Sequence, residues 1–159
     1  MTTNEDLKTI GTGWYWDEFI IGDKFRTVGK TLTHADVINF VNSTTLHEVL
    51  FTNKVYVEEK SLLKGKFAPG PLIYLMSEVL ILPTIQETAL AFLNLEMTGK
   101  QPLYVGDTFH VEVEVISTRV TKSGNRGVVE TLNHVVNQNG EVVQIYKPTR
   151  LIKGRNFKG

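Results

Sequence analysis

The stretch Lys66-Phe67-Ala68-Pro69-Gly70-Pro71-Leu72-Ile73-Tyr74-Leu75-Met76 is a turn that opens straight into an apolar helix. Gly70 suits the N-cap, and Pro71 suits the first helical position, where a missing N–H costs nothing. Leu72, Ile73, Tyr74, Leu75, Met76, Val79, Leu80, Ile81 and Leu82 follow with few polar breaks. This predicts a helix from Pro71 towards Leu82, ended or kinked by Pro83. A helix apolar on most faces is normally buried. If the glycine-led N-terminus of a buried helix faces a cavity, its free N–H groups can receive a negatively polarised oxygen.

Working outward, the N-terminal side is mixed. Trp14 to Asp23 is an aromatic-rich lead-in ending in a Gly-Asp turn, and Phe25 to Lys30 reads as a short strand. Thr33 is a candidate N-cap with Asp36 three residues on, an Asp version of the capping box. Val37, Phe40 and Val41 then repeat at helical spacing, predicting a helix from about His34 to Asn42. Between Ser43 and Gly65 the pattern points to turns and short helical pieces, with Val55-Tyr56-Val57 a β-like run.

The C-terminal side is strand-rich. Ala89 to Met97, Thr108 to Ser117 and Gly127 to Val136 read as strands, the second with plain period-two alternation. Lys122 to Gly127 is a turn. Asn137-Gln138-Asn139-Gly140 contains Asn-Gly, a strong hairpin signal. Glu141 to Ile152 is the last strand, with Pro148 marking an edge or a bulge. Helices first and strands second predict an α+β chain, an antiparallel sheet packed on one long helix within one domain over residues 1–159.

Composition narrows the chemistry. Lysine plus arginine equals aspartate plus glutamate, 17 each, so there is no electrostatic footprint for nucleic acid. The mild basic excess in Lys147, Arg150, Lys153, Arg155 and Lys158 reads as a solvated, partly frayed end. The chain has no cysteine, which excludes disulfides, thiol chemistry and Cys-ligated zinc. No apolar run reaches the length of a membrane span, and Met1 to Ile10 lacks the layout of a signal peptide. A soluble cytoplasmic protein is the expectation.

With these motifs placed, the chain resembles a hot-dog fold, a curved antiparallel sheet wrapped around a central helix. Its motifs are similar to those of the MaoC-like (R)-specific enoyl-CoA hydratase family. Tyr15 to Asp36 resembles that family's opening segment: an aromatic residue, an acidic pair, Gly22-Asp23, Thr27-Val28-Gly29, then Thr33-x-x-Asp36 starting a helix. Phe67-Ala68-Pro69-Gly70 resembles its turn into the central helix, and Pro102-Leu103-Tyr104-Val105-Gly106-Asp107-Thr108 its Gly-Asp-Thr turn. The likeness spans about residues 15 to 152, and the order and spacing of the three glycine-centred turns make it specific.

The departure matters as much as the match. The resemblance implies an Asp and a His that activate water after the capped helix. Counting without gaps from Asp36 and Phe40, the Asp position falls on Leu46 and the His position on Phe51. The next family position, often Asp, falls on Asn53. A second register anchors on His47 and puts Asn42 at the Asp position, but it needs several inserted residues before Gly70 where the gapless one needs about one.

Hydrating an α,β-unsaturated thioester needs a base to activate water, an acid for the α-carbon, and donors for the enolate oxygen. The donor is kept as the N–H of Gly70. His47 and Glu48, next to the vacant Asp position, are the candidate base and acid, and would converge only in a turn. Gly70, Phe51, Asn53 and Leu46 are the candidate substrate-binding residues. His34 reads as surface. His110, sharing a face with Glu112 and Glu114, reads as part of a polar sheet face rather than a metal site. Lys64 and Lys66 are candidates for coenzyme A phosphates.

The resemblance therefore implies an acyl-CoA thioester as partner, with coenzyme A present only as part of the substrate and no separate cofactor. Hydratase or dehydratase activity is the first expectation. The alternatives are a non-catalytic binding or regulatory protein and a thioesterase in which Glu48 activates water. Exposed edge strands of a small sheet predict a homodimer or a higher even assembly.

Overall fold

The computed structural model describes residues 10–158, so the N-terminal stretch before Ile10 lies outside the described residues. The strands are β1 (Lys24–Arg26), β2 (Lys30–Thr31), β3 (Ala89–Gly99), β4 (Thr108–Val120), β5 (Arg126–Asn137) and β6 (Val142–Lys153). The helices are α1 (His34–Thr44), α2 (Val49–Thr52), α3 (Lys54–Glu59) and α4 (Gly70–Ile81). All the strands join one antiparallel sheet in the order β1-β4-β5-β6-β3, with β2 also on β4.

Alternation builds the sheet's two faces. On β4, Phe109, Val111, Val113 and Val115 are buried, while His110, Glu112 and Glu114 look outward. His110 Nε2 meets Glu112 Oε1 at 3.2 Å on that polar face. The inner face packs on α4 through Leu72, Ile73, Met76 and Ile81, and α1 adds Val37 and Val41. Each fully buried aliphatic or aromatic side chain contributes about 1.5–3 kcal/mol, so this shared core is what holds α4 against the sheet.

Local signals explain most boundaries. Thr33 and Asp36 form the reciprocal capping box: the Thr33 N–H and hydroxyl both donate to Asp36 Oδ2, at 2.8 and 2.7 Å, and the Asp36 N–H returns to Thr33 Oγ at 3.1 Å. In the β5–β6 hairpin Gly140 takes φ +80, and Asn137 Oδ1 accepts the N–H groups of Asn139 and Glu141, each at 3.0 Å. The α4 boundary differs by one residue from the sequence reading. Pro69 is the cap and Gly70 the first helical residue, while Pro83 lies in the 3-10 turn Leu82–Thr84 that follows.

Four expectations are corrected. Val55-Tyr56-Val57 is helical, not β-like, because Asn53 Oδ1 accepts the Tyr56 N–H at 3.0 Å and starts α3. The strand from Phe25 is split into β1 and β2 around Thr27, whose Oγ accepts the Val111 N–H at 3.0 Å. Pro148 does not mark an edge, since β6 lies inside the sheet with Leu95 of β3 opposite Pro148. The β5–β6 ladder instead breaks there, between Glu130↔Thr149 and Asn133↔Tyr146, where proline has no N–H to give.

The basic tail is likewise not a frayed end. Lys147, Arg150 and Lys153 belong to β6, and Arg155 pairs with Glu18 at 2.7 Å and stacks on Tyr15. Among the described residues the central helix, finally, is sheathed on one side only. Leu75 and Val79 on α4 are 49% and 59% exposed, and Phe92 and Met97 on β3 are 50% and 43% exposed. By register Phe92 and Met97 lie opposite the inward residues Arg150 and Tyr146, so an uncovered apolar strip joins α4 to the free edge of the sheet.

Candidate functional site

The turn before α4 is held by the Pro102–Asp107 turn. The Ala68 N–H donates to the Leu103 carbonyl and the Val105 N–H to the Lys66 carbonyl, both at 2.9 Å, and Phe67 and Tyr104 form an isolated β-bridge. Asp107 closes its own turn by accepting the Tyr104 N–H at 2.8 Å, and its other oxygen accepts the Gln138 amide at 2.8 Å. Gly106, at φ +100, makes that turn possible. Two of the three motifs legible in the sequence are thus one hydrogen-bonded unit that aims the start of α4.

At that start, the Leu72 and Ile73 N–H groups both donate to the Pro69 carbonyl, at 3.0 and 3.2 Å, and Pro71 has no N–H. The Gly70 N–H has no partner among the described residues. Gly70 is exposed, its φ is not in the left-handed region, and a Cβ there would come no nearer than 3.8 Å to any atom, Nε2 of Gln144. Neither backbone conformation nor packing within the chain requires glycine at this position. What glycine does provide is an open approach to a free donor at a helix N-terminus.

Beside this turn, α1, α2, α3 and residues Gly65–Phe67 line a cavity of about 330 Å³ that is open to solvent on one side. Its wall is apolar (Val37, Ile38, Leu50, Phe51, Val57 and Phe67), and Phe51 packs edge-on against Phe67 with centroids 5.6 Å apart. His34, Asn53, Lys54, Glu58 and Lys66 supply its polar groups. Lys66 Nζ lies 3.3 Å from His34 Nε2. Lys64 is committed elsewhere, donating to the Glu58 carbonyl at 2.9 Å at the end of α3.

Of the sequence-derived site residues, Phe51 and Asn53 line the cavity, although Asn53 Oδ1 is used in capping α3, whereas Gly70 lies outside its lining, three residues beyond Phe67. Leu46 is half-buried and closes α1, its N–H on the Val41 carbonyl at 3.1 Å. His47 and Glu48 are both exposed, and neither lines the cavity. Thr45, at φ +55, turns the chain out of α1, and Glu48 becomes the N-cap of α2 without a capping bond from its side chain. The turn that was to converge them leaves both side chains at the surface.

The sequence reading missed a row of buried polar groups beneath α4. Gln144, Tyr146 and Arg150 point inward from β6, and Asn133 stands opposite Tyr146 on β5. Arg150 pairs with Glu78 of α4 and lies over the Phe92 ring, 5.5 Å from its centroid. Burial pushes the Tyr146 phenol far above its ordinary range, and the neighbouring Glu78 carboxylate pushes it further. Burial and then Glu78 raise Tyr74 as well. Glu78 Oε1, both amide atoms of Asn133, Gln144 Oε1 and the Tyr146 hydroxyl are buried without a partner among the described residues. The available signal was parity: Gln144, Tyr146 and Arg150 share the core-facing period of Ile152.

Among the described residues there is no group of three potential metal ligands and no helix long and apolar enough to cross a membrane. Neither a protein-family model nor a curated protein matches the sequence. Solved structures do match. The monoamine oxidase regulatory protein of an Archaeoglobus species is 23% identical, with TM-score 0.81 over 90% of this chain and 96% of the other. A MaoC-like dehydratase from Rhodospirillum rubrum is 23% identical, with TM-score 0.79 over 91% of this chain and 100% of the other. The (R)-hydratase PhaJ1 from Pseudomonas aeruginosa is 20% identical, with TM-score 0.72 over 89% of this chain and 86% of the other. With one helix packed in an open, curved, six-stranded antiparallel sheet, the chain has the hot-dog fold, and MaoC-like dehydratases and (R)-hydratases are among its structural neighbours.

Proposed function

We propose that this protein binds acyl-CoA thioesters, with the thioester carbonyl received by the Gly70 N–H, and that the reaction it supports is the reversible hydration of a 2-enoyl-CoA. One observation carries the reading: α4 begins on an exposed glycine whose N–H has no partner among the described residues and which the fold itself does not need. Withdrawing electron density into the carbonyl activates the β-carbon towards water, and the same donor stabilises the enolate that forms. A donor of this kind is worth about 2.7–4 kcal/mol where it has been removed from an oxyanion site. The apolar cavity of about 330 Å³ takes the acyl group, at the small end of the ~300–1,000 Å³ range of ligand pockets, so a short chain is favoured. Lys66, beside His34 at that cavity, faces the coenzyme A phosphates. The sequence-derived base and acid, His47 and Glu48, are exposed and off that cavity, so hydration by them requires the Ser43–Asn53 segment to bring them to the Gly70 N–H.

A second reading, thioester binding without turnover, is favoured by one observation: Phe51 stands on the cavity wall at the position of the implied histidine, while His47 and Glu48 lie exposed off it. Incubation with but-2-enoyl-CoA separates the readings. Loss of the enoyl ultraviolet absorbance without thiol release is hydration, and thiol release is thioester cleavage. Measured binding with neither signal establishes the second reading. Absence of binding refutes both.

The assembly proposed is a homodimer, formed by a second copy along β3. This edge is eleven residues long, has no partner on its outer side among the described residues and borders the exposed strip of Leu75, Val79, Phe92 and Met97. Pairing edge to edge would satisfy its backbone and cover the strip in one step. The proposed compartment is the cytoplasm.

A further inference from the structure

The α4 N-terminus is anchored in an unusual way. Its cap is Pro69, which offers no side-chain hydrogen bond, so the first turn lacks the usual Ser, Thr or Asp restraint. The restraint comes from the sheet. Gln144 Nε2 donates to the Gly70 carbonyl at 3.0 Å, the one side-chain hydrogen bond to the first residue of the helix among the described residues. That bond also sets the amide's orientation, because the reverse would press Gln144 Oε1 against the Gly70 carbonyl oxygen.

Gln144 holds this place at a cost. It is 1% exposed, sits on the core-facing side of β6, and its Oε1 is buried with no partner among the described residues. An unmade buried bond is destabilising, and an apolar side chain of the same length would remove the debt. Stability alone therefore favours methionine or leucine here. A residue that stability disfavours and that grips the carbonyl of Gly70 has its explanation in the adjacent N–H.

We propose that Gln144 is the positioning residue of the Gly70 site: it holds the first turn of α4 so that the Gly70 N–H keeps a single direction towards the ligand oxygen. This rests on the thioester-binding reading above, and the experiment below separates the two. It predicts an opposition in the isosteric variant, with the fold gaining while the site loosens.

The test is Gln144→Met in the full chain. In the ligand-free protein, the melting temperature is expected to equal or exceed that of the wild type. Amide exchange at Leu72 and Ile73, whose N–H groups close the first turn on Pro69, is expected to quicken by about tenfold, while exchange at Met76 and Ser77 stays unchanged. Calorimetric titration with butanoyl-CoA, which has the thioester and no double bond to hydrate, is expected to show Kd raised by about tenfold. A melting temperature lowered by more than about 5 °C, or failure to fold, overturns the proposal by making Gln144 a structural residue. Unchanged exchange at Leu72 and Ile73 overturns it directly. If the wild type itself does not bind butanoyl-CoA, the thioester reading fails, and the ligand-free exchange still decides whether Gln144 holds the turn.

Discussion

Gly70→Ala is the sharpest perturbation available, because the structure predicts opposite signs for folding and for binding. Gly70 is helical, has a φ outside the left-handed region, and an added Cβ meets nothing nearer than Gln144 Nε2 at 3.8 Å, an ordinary contact. Alanine at a compatible position stabilises by about 0.4–1 kcal/mol, chiefly by restricting the unfolded chain. For a chain of this size that raises the melting temperature by about 1–4 °C. The same methyl group narrows the approach to the free N–H. Crowding of one extra carbon in a fitted site costs about 1–3 kcal/mol, which corresponds to Kd raised roughly fivefold to 150-fold. Differential scanning fluorimetry and calorimetric titration with butanoyl-CoA read the two halves on one preparation. Raised melting temperature with unchanged Kd would refute docking at Gly70. A lowered melting temperature would show that the fold itself needs the glycine.

Three further expectations concern the groups around this site. Val79→Arg puts a charge in the exposed strip of α4, where Val79 is 59% exposed; on the proposed assembly, light scattering should give the monomer mass for the variant and the dimer mass for the wild type, with secondary structure retained. Glu78→Leu leaves Arg150 buried without its partner and should cost about 3–5 kcal/mol in urea unfolding, whereas Glu78→Leu with Arg150→Met should recover most of that loss. For Asp36, burial raises the carboxyl, but the hydrogen bonds from the Thr33 side chain and backbone, aided by Lys30, bring it below its ordinary value. A depressed carboxylate contributes stability above its unfolded pKa of about 4 and loses it as pH falls through the folded value. Thr33→Ala should therefore cost about 1 kcal/mol at pH 7, with the gap to wild type narrowing below about pH 4.

Much of the scaffold was legible because it is governed by local rules. The Thr33/Asp36 cap, the alternation of β4 and the Asn137–Gly140 hairpin each depend on residues a few positions apart. The apolar run after Pro71 announced α4 for the same reason. Reading failed where a side chain or a strand partner outside the apparent pattern, near or distant, overruled it. Val55–Val57 looked like strand, yet Asn53 capped them into a helix. Pro148 suggested an edge, yet β3 closes on the far side of β6 and the sheet accepts a gap in one ladder. The basic residues of the C-terminal segment looked solvated, yet Arg150 lies against Glu78, 72 positions away.

The candidate site divides along the same line. Its donor at Gly70, and the two turns that aim it, could be read from order and spacing. Whether His47 and Glu48 belong to it could not, since their adjacency says nothing about direction, and the left-handed Thr45 leaves both at the surface. Gln144 was hidden because its meaning is a 3.0 Å contact across 74 positions.

The sequence by itself determined most of the helices, strands and turns, Val55–Val57 and the split of the strand from Phe25 excepted, and that the central helix starts on a glycine, because those outcomes follow from backbone preference and periodicity within a turn or two. Only the tertiary structure decided which strand lies at the edge, which polar groups are buried, and what stands beside Gly70. Those outcomes depend on which distant surfaces exclude water together, and chain order does not encode such distances.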